Sequence, residues 1–243
     1  MEKEFDFQKL YNRIYADWSY GSGFDIELEN IALVIVDMQP ALTSSKTGMG
    51  KAFGFFLNVS LDYFEERIQN TVLPNTARLI DYFRKNNMMV VYVVTWSETQ
   101  DLSDMPRYQR RSIERWEKAL GEQVYRKWNA GMHVYDEIAP KDTELVIPKR
   151  TGSAFASSVL DSCLRNAGIR QIVATGCNTN GCYFETLVVG SNFGYELIMA
   201  NDATACFDPV LQDEAEAWIG RHFATVRTTQ ETIDLLAAAK RKA

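Results

Sequence analysis

Six consecutive apolar residues, Ile31 to Val36, constrain the fold of this chain more than any other feature of its sequence. A strand with one face in solvent alternates apolar and polar residues, whereas a strand covered by helices on both faces is apolar throughout. The run ends at Asp37. It therefore predicts a central strand of a parallel sheet that carries an acidic side chain at its carboxyl end.

Apolar runs and helical repeats alternate along the rest of the chain. Further strands are predicted at 88–94, 144–147, 172–175 and 195–199, and helices at 73–86, 156–166, 182–193, 210–223 and 229–240. Pro74 suits a first helical turn, and Gly168 suits the end of a helix. This alternation predicts an α/β fold, a three-layer α/β/α arrangement with a mostly parallel central sheet and right-handed crossovers.

The length of 243 residues is enough for one large domain with a substantial core. We predict that domain at 31–243. Residues 1–30 are rich in aromatic side chains and irregular in pattern. They are predicted to form an arm that packs either on the same domain or on a second subunit.

Composition and charge exclude several classes of protein. The net charge is −6 and no long run of one sign occurs, which argues against a nucleic-acid partner. No stretch resembles a signal peptide or a membrane span, so a cytoplasmic location is expected. The four cysteines have no secretory context, and His133 and His222 stand far apart without a metal-ligand spacing. We therefore expect neither disulfides nor a metal.

In sheets of this class the active site lies beyond the carboxyl ends of the strands. Polar residues follow each predicted strand, and all of them are expected at one edge of the sheet. They are Asp37, Thr95 with Trp96, Lys149, the turn 176–182, and Asn201 with Asp202.

The turn 176–182 joins a predicted strand to a predicted helix that begins at Cys182. A thiol at a helix N-terminus lies near the positive end of the backbone dipole, which favours a lowered pKa and a reactive thiolate. Cys177 lies in the same turn and is the rival nucleophile, while Cys163 and Cys206 fit the alternative of a buried core cysteine. We prefer Cys182 because the dipole and the free N–H groups coincide there.

Asp37 and Lys149 each have a structural alternative. Burial at a strand end would raise the pKa of Asp37 and make it a usable base, but the residue could also cap the turn before Pro40. Lys149 could hold Asp37 ionised and bias the thiol toward thiolate, or it could be a surface lysine with a buried stem. The convergence of both residues with Cys182 on one edge favours the catalytic interpretation.

Three motifs in this order resemble those of the isochorismatase-like cysteine hydrolase superfamily, from about Ile31 to the C-terminus. They are Asp37 in Val-Asp-Met-Gln, Lys149 in Pro-Lys-Arg ahead of Ser-Ala-Phe, and Cys182 in Thr-Gly-Cys-Asn-Thr-Asn-Gly-Cys. The resemblance implies an Asp-Lys-Cys triad that hydrolyses C–N bonds of small amides and ureides through a covalent intermediate, without a cofactor. It also implies a cis peptide between Cys177 and Asn178, and an oxyanion hole formed by the N–H groups of Asn178 and Cys182.

Departures from related patterns narrow the expected substrate. The segment 95–101 lacks the histidines of the nicotinamidase metal site, and a cysteine at position 182 is not needed by vinyl-ether-cleaving isochorismatases. The loop 101–106 and the N-terminal arm are similar to those of biuret, N-carbamoylsarcosine and ureidoacrylate hydrolases. Asn178 stands where a small residue is more usual, and would either hydrogen-bond the substrate or steady the turn. A vinyl-ether hydrolase and a catalytically silent binding member remain the alternatives.

Residues of the substrate pocket are harder to predict. Gln39, Trp96, Arg110 and Phe155 are the candidates for substrate contact, and Arg110 with its neighbours Arg107 and Arg111 could bind a carboxylate. The aromatic cluster between Phe53 and Phe64 could be a lid, core or a subunit contact. The resemblance further implies a homodimer or homotetramer.

Overall fold

The computed structural model describes residues 23–57 and 60–242. Within these ranges six strands, all parallel, form one sheet in the order β3-β2-β1-β4-β5-β6. The strands are β1 Ile31–Val36, β2 Met89–Thr95, β3 Leu145–Lys149, β4 Gln171–Cys177, β5 Glu196–Ala205 and β6 Thr225–Arg227.

The central strand β1 divides its side chains between two cores. Leu33 and Ile35 pack into the core on one face of the sheet, while Ala32 and Val34 pack into the core on the other. Because successive side chains of a strand point to opposite faces, a strand between two layers must be apolar at every position. The prediction from the unbroken run is confirmed.

Helices cover both faces of this sheet. Leu79 and Leu236 pack into the first core, and Leu164, Leu187 and Ile219 pack into the second. The three-layer α/β/α architecture is therefore confirmed. The helices are α1 Pro40–Thr43, α2 Gly48–Leu57, α3 Asp62–Arg67, α4 Leu73–Lys85, α5 Arg107–Leu120, α6 Leu160–Asn166, α7 Cys182–Asn192, α8 Pro209–His222 and α9 Thr229–Lys242, with 3₁₀ turns at Leu28–Asn30 and Asp136–Ile138.

The strand order creates a crevice at one place on the carboxyl edge. From β1 the chain adds β2 and then β3 on one side, and β4 pairs with the other side of β1 before β5 and β6 continue outward. Such a reversal of direction separates the loops that follow the two central strands. Asp37 follows β1 and the turn 178–181 follows β4, so both lie at this switch point.

The α-helix predicted to start at Leu73 begins there, with Pro74 in its first turn. A π-helical stretch, Ile68–Val72, which was not predicted, precedes it and joins α3 to α4 without a break. Proline lacks an N–H and its ring crowds the preceding turn, and a wider π turn is a common accommodation within helices.

The prediction that β5 ends at residue 199 was wrong. The strand continues to Ala205, with an irregularity in its pairing opposite Ala174 and Gly176. Asn201 and Asp202 therefore lie within β5 and not at its end. Asn201 donates to Glu216 and Asp202 accepts from Thr229, so both side chains tie β5 to helices.

Other boundaries also differ from the predictions. The helix predicted from residue 156 begins at Leu160, because residues 154–159 form turns and bends. Helices α1, α2 and α3, the extent of α5 and the short strand β6 were not predicted. In the N-terminal arm only 23–30 is described. Phe24, Ile26 and Leu28 pack against the first core, while 1–22 lies outside the described residues.

Candidate active site

Asp37 leaves β1 in a left-handed conformation, with φ of 54°. Its N–H donates to the carbonyl of Val93 over 2.8 Å, so the neighbouring strand β2 fixes the turn. Only 1% of its surface is exposed. The last pairing of β2 with β3 places Thr95 beside Lys149. Lys149 therefore reaches past the end of β2 toward Asp37.

Lys149 and Asp37 form a buried ion pair. Lys149 Nζ lies 2.7 Å from Asp37 Oδ2, and each side chain is 1% exposed. The ammonium also donates to the carbonyl of Thr151 over 2.9 Å. Burial would lower the pKa of Lys149, but the charges of Asp37, Cys182 and Tyr125 reverse that effect and raise it. The lysine therefore stays protonated.

Desolvation raises the pKa of Asp37 above its ordinary value, although the Lys149 ammonium and a hydrogen bond from Cys182 both act to lower it. A carboxylate that is more basic than usual and in contact with a thiol is suited to accept that thiol's proton. The alternatives of a turn-capping Asp37 and a surface-exposed Lys149 do not describe this buried pair.

Cys182 is the first residue of α7, as predicted. Its thiol lies close enough to Asp37 and Lys149 for both side chains to act on its pKa. Burial raises the pKa of Cys182 to about 12, and the charge of Lys149 only partly offsets this. The expectation of a lowered pKa at the helix N-terminus was wrong, because desolvation of the thiolate and the nearby Asp37 carboxylate both raise the pKa. The resting thiol is neutral and needs a base.

Cys177 occupies a different environment in the same turn. It is 1% exposed, and its thiol donates to the backbone carbonyl of Asp37 over 3.3 Å. Burial raises the pKa of Cys177 well above its ordinary value. The Cys177–Asn178 peptide bond is cis, as the sequence resemblance implied. Cys177 thus links the end of β4 to the loop that carries Asp37.

The backbone of the turn presents N–H groups beside the Cys182 thiol. The carbonyl of Asn178 accepts from the N–H groups of Gly181 and Tyr183. Among the described residues, no carbonyl accepts from the N–H of Asn178 or of Cys182. Such unpaired donors at a helix start are suited to an oxyanion. The side chain of Asn178 is likewise without a hydrogen bond to the rest of the described chain.

Gly176 allows β4 to approach β1 where this turn begins. Its φ is 120°, and a Cβ placed there would lie 2.0 Å from the carbonyl oxygen of Val36. No other residue fits both the conformation and the space. On the far side of the turn, Thr179 hydrogen-bonds Gln212 of α8 over 2.8 Å. The turn is therefore held at both ends.

Gln39 is fully buried behind this site rather than beside an open space. Its Nε2 donates to the carbonyls of Thr95 and Met132, and its Oε1 accepts from the N–H of Thr95 over 2.8 Å. Thr95 in turn hydrogen-bonds the hydroxyl of Tyr125 over 2.9 Å. These bonds join the loops that follow β1 and β2.

Tyr125 is the residue of this region that the sequence analysis missed. Its ring is 6% exposed, and burial raises the pKa of its hydroxyl, with Lys149, Cys182 and Asp37 all close enough to influence it. No strand or motif precedes it, so no sequence signal marked it. An isolated bridge between Ser97 and Arg126 brings its segment alongside the residues that follow β2.

The other substrate-contact candidates lie in separate places. Trp96 is buried at the end of β2 and donates to Glu98 over 2.8 Å. Arg110 is half-buried on α5, between the exposed Arg107 and Arg111. Phe155 packs in the second core against Gly190 and the ring of Tyr195, toward the amino end of β5. The structure brings Trp96 to the same edge as Asp37 but places Phe155 in the protein core.

The loop 101–106 braces the site through Asp104. This carboxylate accepts from Ser97 over 2.6 Å and pairs with Arg150 over 2.6 Å. Arg150 directly follows Lys149, and Ser97 closely follows Thr95. Asp104 therefore ties together the chain segments that leave β2 and β3.

The aromatic cluster divides into core and surface. Phe64 is fully buried, and Phe53 contacts the rings of Trp116 and Phe207. Phe55 is 63% exposed and Phe56 37% exposed. Phe64 is therefore core, and the two exposed rings leave a lid or a subunit contact open.

No helix in the described part of the chain is long and apolar enough to cross a membrane. Over residues 23–57 and 60–242, no three or more His, Cys, Asp or Glu side chains are grouped as a metal ion would require.

Comparison with known sequences places this geometry in a family. The model of the isochorismatase domain matches residues 31–231. Ureidoacrylate amidohydrolase RutB of Klebsiella pneumoniae is 28% identical over 191 residues, which cover 76% of this chain and 77% of that protein. The uncharacterized isochorismatase family protein YrdC of Bacillus subtilis is 24% identical over 217 residues, covering 85% and 96% respectively.

Solved structures share the fold. A cysteine hydrolase of Pseudomonas syringae pv. phaseolicola superimposes with a TM-score of 0.73 at 22% identity, covering 89% of this chain and 97% of that one. N-carbamoylsarcosine amidase of Thermoplasma acidophilum superimposes with a TM-score of 0.59 at 24% identity, covering 82% and 96%. With the domain match extending from β1 into α9, the chain belongs to the isochorismatase family.

Proposed function

We propose that this protein is a cysteine amidohydrolase that cleaves a C–N bond of a small amide or ureide without a metal or other cofactor. The observation that carries the proposal is the contact of the Cys182 thiol with the buried Asp37–Lys149 pair. Relatives named as ureidoacrylate amidohydrolase and N-carbamoylsarcosine amidase support this reaction class. An isochorismatase-type ether hydrolase needs no such thiol.

The first half of the reaction forms a thioester-type intermediate. Asp37 accepts the proton of the Cys182 thiol as the sulfur attacks the substrate carbonyl carbon. Proton transfer during attack suits a thiol whose resting pKa is about 12, because little free thiolate exists at neutral pH. The oxyanion is stabilised by the N–H groups of Asn178 and Cys182. The C–N bond then breaks, and protonated Asp37 gives its proton to the leaving nitrogen.

The second half returns the enzyme to its starting state. Asp37 removes a proton from water, and the hydroxide attacks the carbonyl carbon of the S-acyl or S-carbamoyl group. The C–S bond breaks, the sulfur recovers a proton from Asp37, and the acid or carbamate leaves. Lys149 stays positive throughout and stabilises the negative charge that moves between Asp37 and the sulfur.

The remaining candidates receive distinct roles under this proposal. Gln39 uses both ends of its amide on backbone groups, so we assign it the positioning of Asp37 and Thr95 rather than substrate contact. The carbonyl of Asn178 accepts the hydrogen bonds that stabilise the turn. Its side chain is therefore available to hydrogen-bond a urea-like substrate. We retain Trp96 as a wall of the site, and assign Phe155 to packing.

The test is ammonia release from a panel of biuret, triuret, carbamoyl amino acids, ureidoacrylate and simple amides. Isochorismate, which contains no nitrogen, is tested beside them by product analysis. Cys182→Ala should lower kcat/KM by roughly 10⁴-fold or more, as loss of a nucleophile does. Cys163→Ala, a change in a half-buried cysteine of α6, is the matched control and should keep full activity. Full activity of the Cys182 variant, or cleavage of isochorismate alone, would overturn the proposal.

A further inference from the structure

A cavity of about 170 Å³ lies between α2, α5 and the segment that carries Tyr125. Tyr108 stands 64% exposed at its rim, whereas Ile113 and Tyr125 are buried in its wall. The seven side chains that line it carry no formal charge; they are Met49, Tyr108, Gln109, Ser112, Ile113, Trp116 and Tyr125.

This cavity is on the same edge of the sheet as the candidate active site. Tyr125 belongs to both places, because its ring lines the cavity while its hydroxyl bonds Thr95 beside Lys149. Three other cavities, one of them about 440 Å³, are lined by residues at the amino ends of strands, such as Ile31, Ile169 and Glu196. Ligands of parallel sheets bind at the carboxyl ends of the strands, so the volume of a cavity is a poor guide to the ligand site in this protein.

The walls indicate what the cavity would hold. An apolar cavity of about 150 Å³ accommodates a benzene molecule, so this one fits a phenyl or branched aliphatic group. Rings and aliphatic side chains provide most of its lining. One polar atom is distinctive, since Oε1 of Gln109 is buried without a hydrogen-bond partner among the described residues. A buried acceptor of this kind calls for an N–H donor on the occupant.

We propose that this cavity is a specificity site for an apolar substituent on the substrate, a proposal that rests on the amidohydrolase function above. The reacting carbonyl lies at Cys182, the substituent passes Tyr125 into the cavity, and an N–H of the substrate donates to Gln109. The preferred substrate class is then a ureide or amide whose nitrogen carries a benzyl-sized or isobutyl-sized group. Biuret, which is polar throughout, would be a poor substrate.

The experiment compares ammonia release from benzylurea, isobutylurea, methylurea and biuret. For the unaltered enzyme, kcat/KM for benzylurea should exceed that for methylurea by about tenfold or more, since even one methylene in an apolar pocket changes specificity by about that factor. Ser112→Phe adds a ring inside the cavity and should reverse this ratio. Glu114→Phe adds the same ring to an exposed position of α5 and should leave the ratio as it is.

Gln109 provides a second test. Gln109→Leu removes the acceptor at nearly constant volume and should lower kcat/KM for benzylurea by about tenfold, the loss expected when a hydrogen bond in an enclosed site is not made. Gln109→Glu keeps an acceptor oxygen and should retain more activity than the leucine variant.

Binding separates this proposal from the proposed reaction. In Cys182→Ala, calorimetric titration should detect benzylurea binding that Ser112→Phe abolishes, whether or not the ureide is hydrolysed. Hydrolysis of biuret and methylurea in preference to benzylurea, together with no benzylurea binding, overturns the cavity proposal and leaves the amidohydrolase standing. Benzylurea binding without any hydrolysis across the panel retains the cavity and overturns the reaction.

Discussion

The two edges of the sheet differ in kind. The amino edge has a groove of about 440 Å³, lined by the starts of β1 and β2 and by the ends of α4, α6 and α9. Its charged side chains, Glu29 and Lys240, are at the surface. The carboxyl edge has a smaller cavity but contains Asp37 and Lys149, each 1% exposed, in contact with a thiol.

Buried charge is therefore a better guide to the proposed active site than the volume of a groove. Removing a carboxylate or an ammonium from water costs several kcal/mol even after relaxation, and pairing offsets only part of that cost. A protein has no structural need to bury both ions at the end of a strand. The groove at the amino edge involves no desolvation of charged groups, and such a groove can form wherever helices diverge from a sheet.

The largest expected effects on stability and activity come from removing one charge of the buried Asp37–Lys149 pair. Asp37→Asn leaves the Lys149 ammonium buried without its partner and should lower the free energy of unfolding by about 3–5 kcal/mol. Lys149→Met should be similarly costly because it isolates the carboxylate. The double variant removes both charges and should lose less stability than the sum of the two single losses. All three should lack measurable turnover.

Urea denaturation of the four proteins, with kcat/KM for a cleaved ureide, would test this. Strict additivity of the two stability losses would show that the contact in the structure does not couple the residues. Recovery of activity in the double variant would show that neither charge takes part in the reaction.

The sequence predicted the parts of the candidate site that lie at strand ends and at the helix start beyond β4. Asp37 follows an apolar run, Lys149 ends one, and Cys182 begins the helix after the turn that follows β4, so periodicity and the parallel-sheet rule brought them together without knowledge of the fold. Tyr125 could not be found in this way, because its position depends on a loop bridging Ser97 to Arg126. The pKa of Cys182 was also mispredicted, since the helix dipole is visible in sequence but burial is not.

The strands and helices likewise include some that local sequence patterns predicted and some that they did not. Mainly apolar runs predicted five strands, whereas β5 beyond residue 199 has small and polar residues that resemble a loop. The extent of helix α5 was missed because polar and charged residues cover most of its surface, with Ile113 as its buried residue. Such a helix is stabilised by its neighbours, and Tyr125 with Met105 packs against it.

Two glycines with positive φ allow the edges to be compared by the same substitution. Gly176, at the carboxyl edge, has Val36 O 2.0 Å from the position of a Cβ, whereas Gly194, at the amino edge, has nothing within 4 Å. Gly176→Ala should therefore lower the free energy of unfolding by about 2 kcal/mol or more, through strain and displacement of β1. Gly194→Ala should cost only the conformational strain, about 1 kcal/mol. Equal losses in thermal unfolding would contradict the close approach of β4 to β1.

The fall of kcat/KM at low pH should report the raised pKa of Asp37. Desolvation raises the pKa of Asp37 above 3.8 despite Lys149. In the proposed mechanism Asp37 must be deprotonated to act as the base. As pH falls through that raised pKa, kcat/KM should fall about tenfold for each pH unit. The same shift opposes folding as pH rises through it, because the folded state binds this proton more tightly than the unfolded state. A midpoint of this fall at pH 3.8 or below, in a protein still folded by circular dichroism, would contradict the desolvated carboxylate.

The smallest effect on kcat/KM is expected from a substitution that fills part of the groove at the amino edge of the sheet. Ala167 lines the amino-edge groove and is exposed, so Ala167→Phe would occupy part of it without displacing the core. Because that edge is separated from Cys182 by the length of the strands, kcat/KM should change by less than about twofold, the range usual for surface substitutions. Ser112→Phe adds the same ring at the carboxyl edge and should change the preference between benzylurea and methylurea. If Ala167→Phe were instead the variant that altered this preference, the substrate would bind at the amino edge and the contrast between the two edges would be lost.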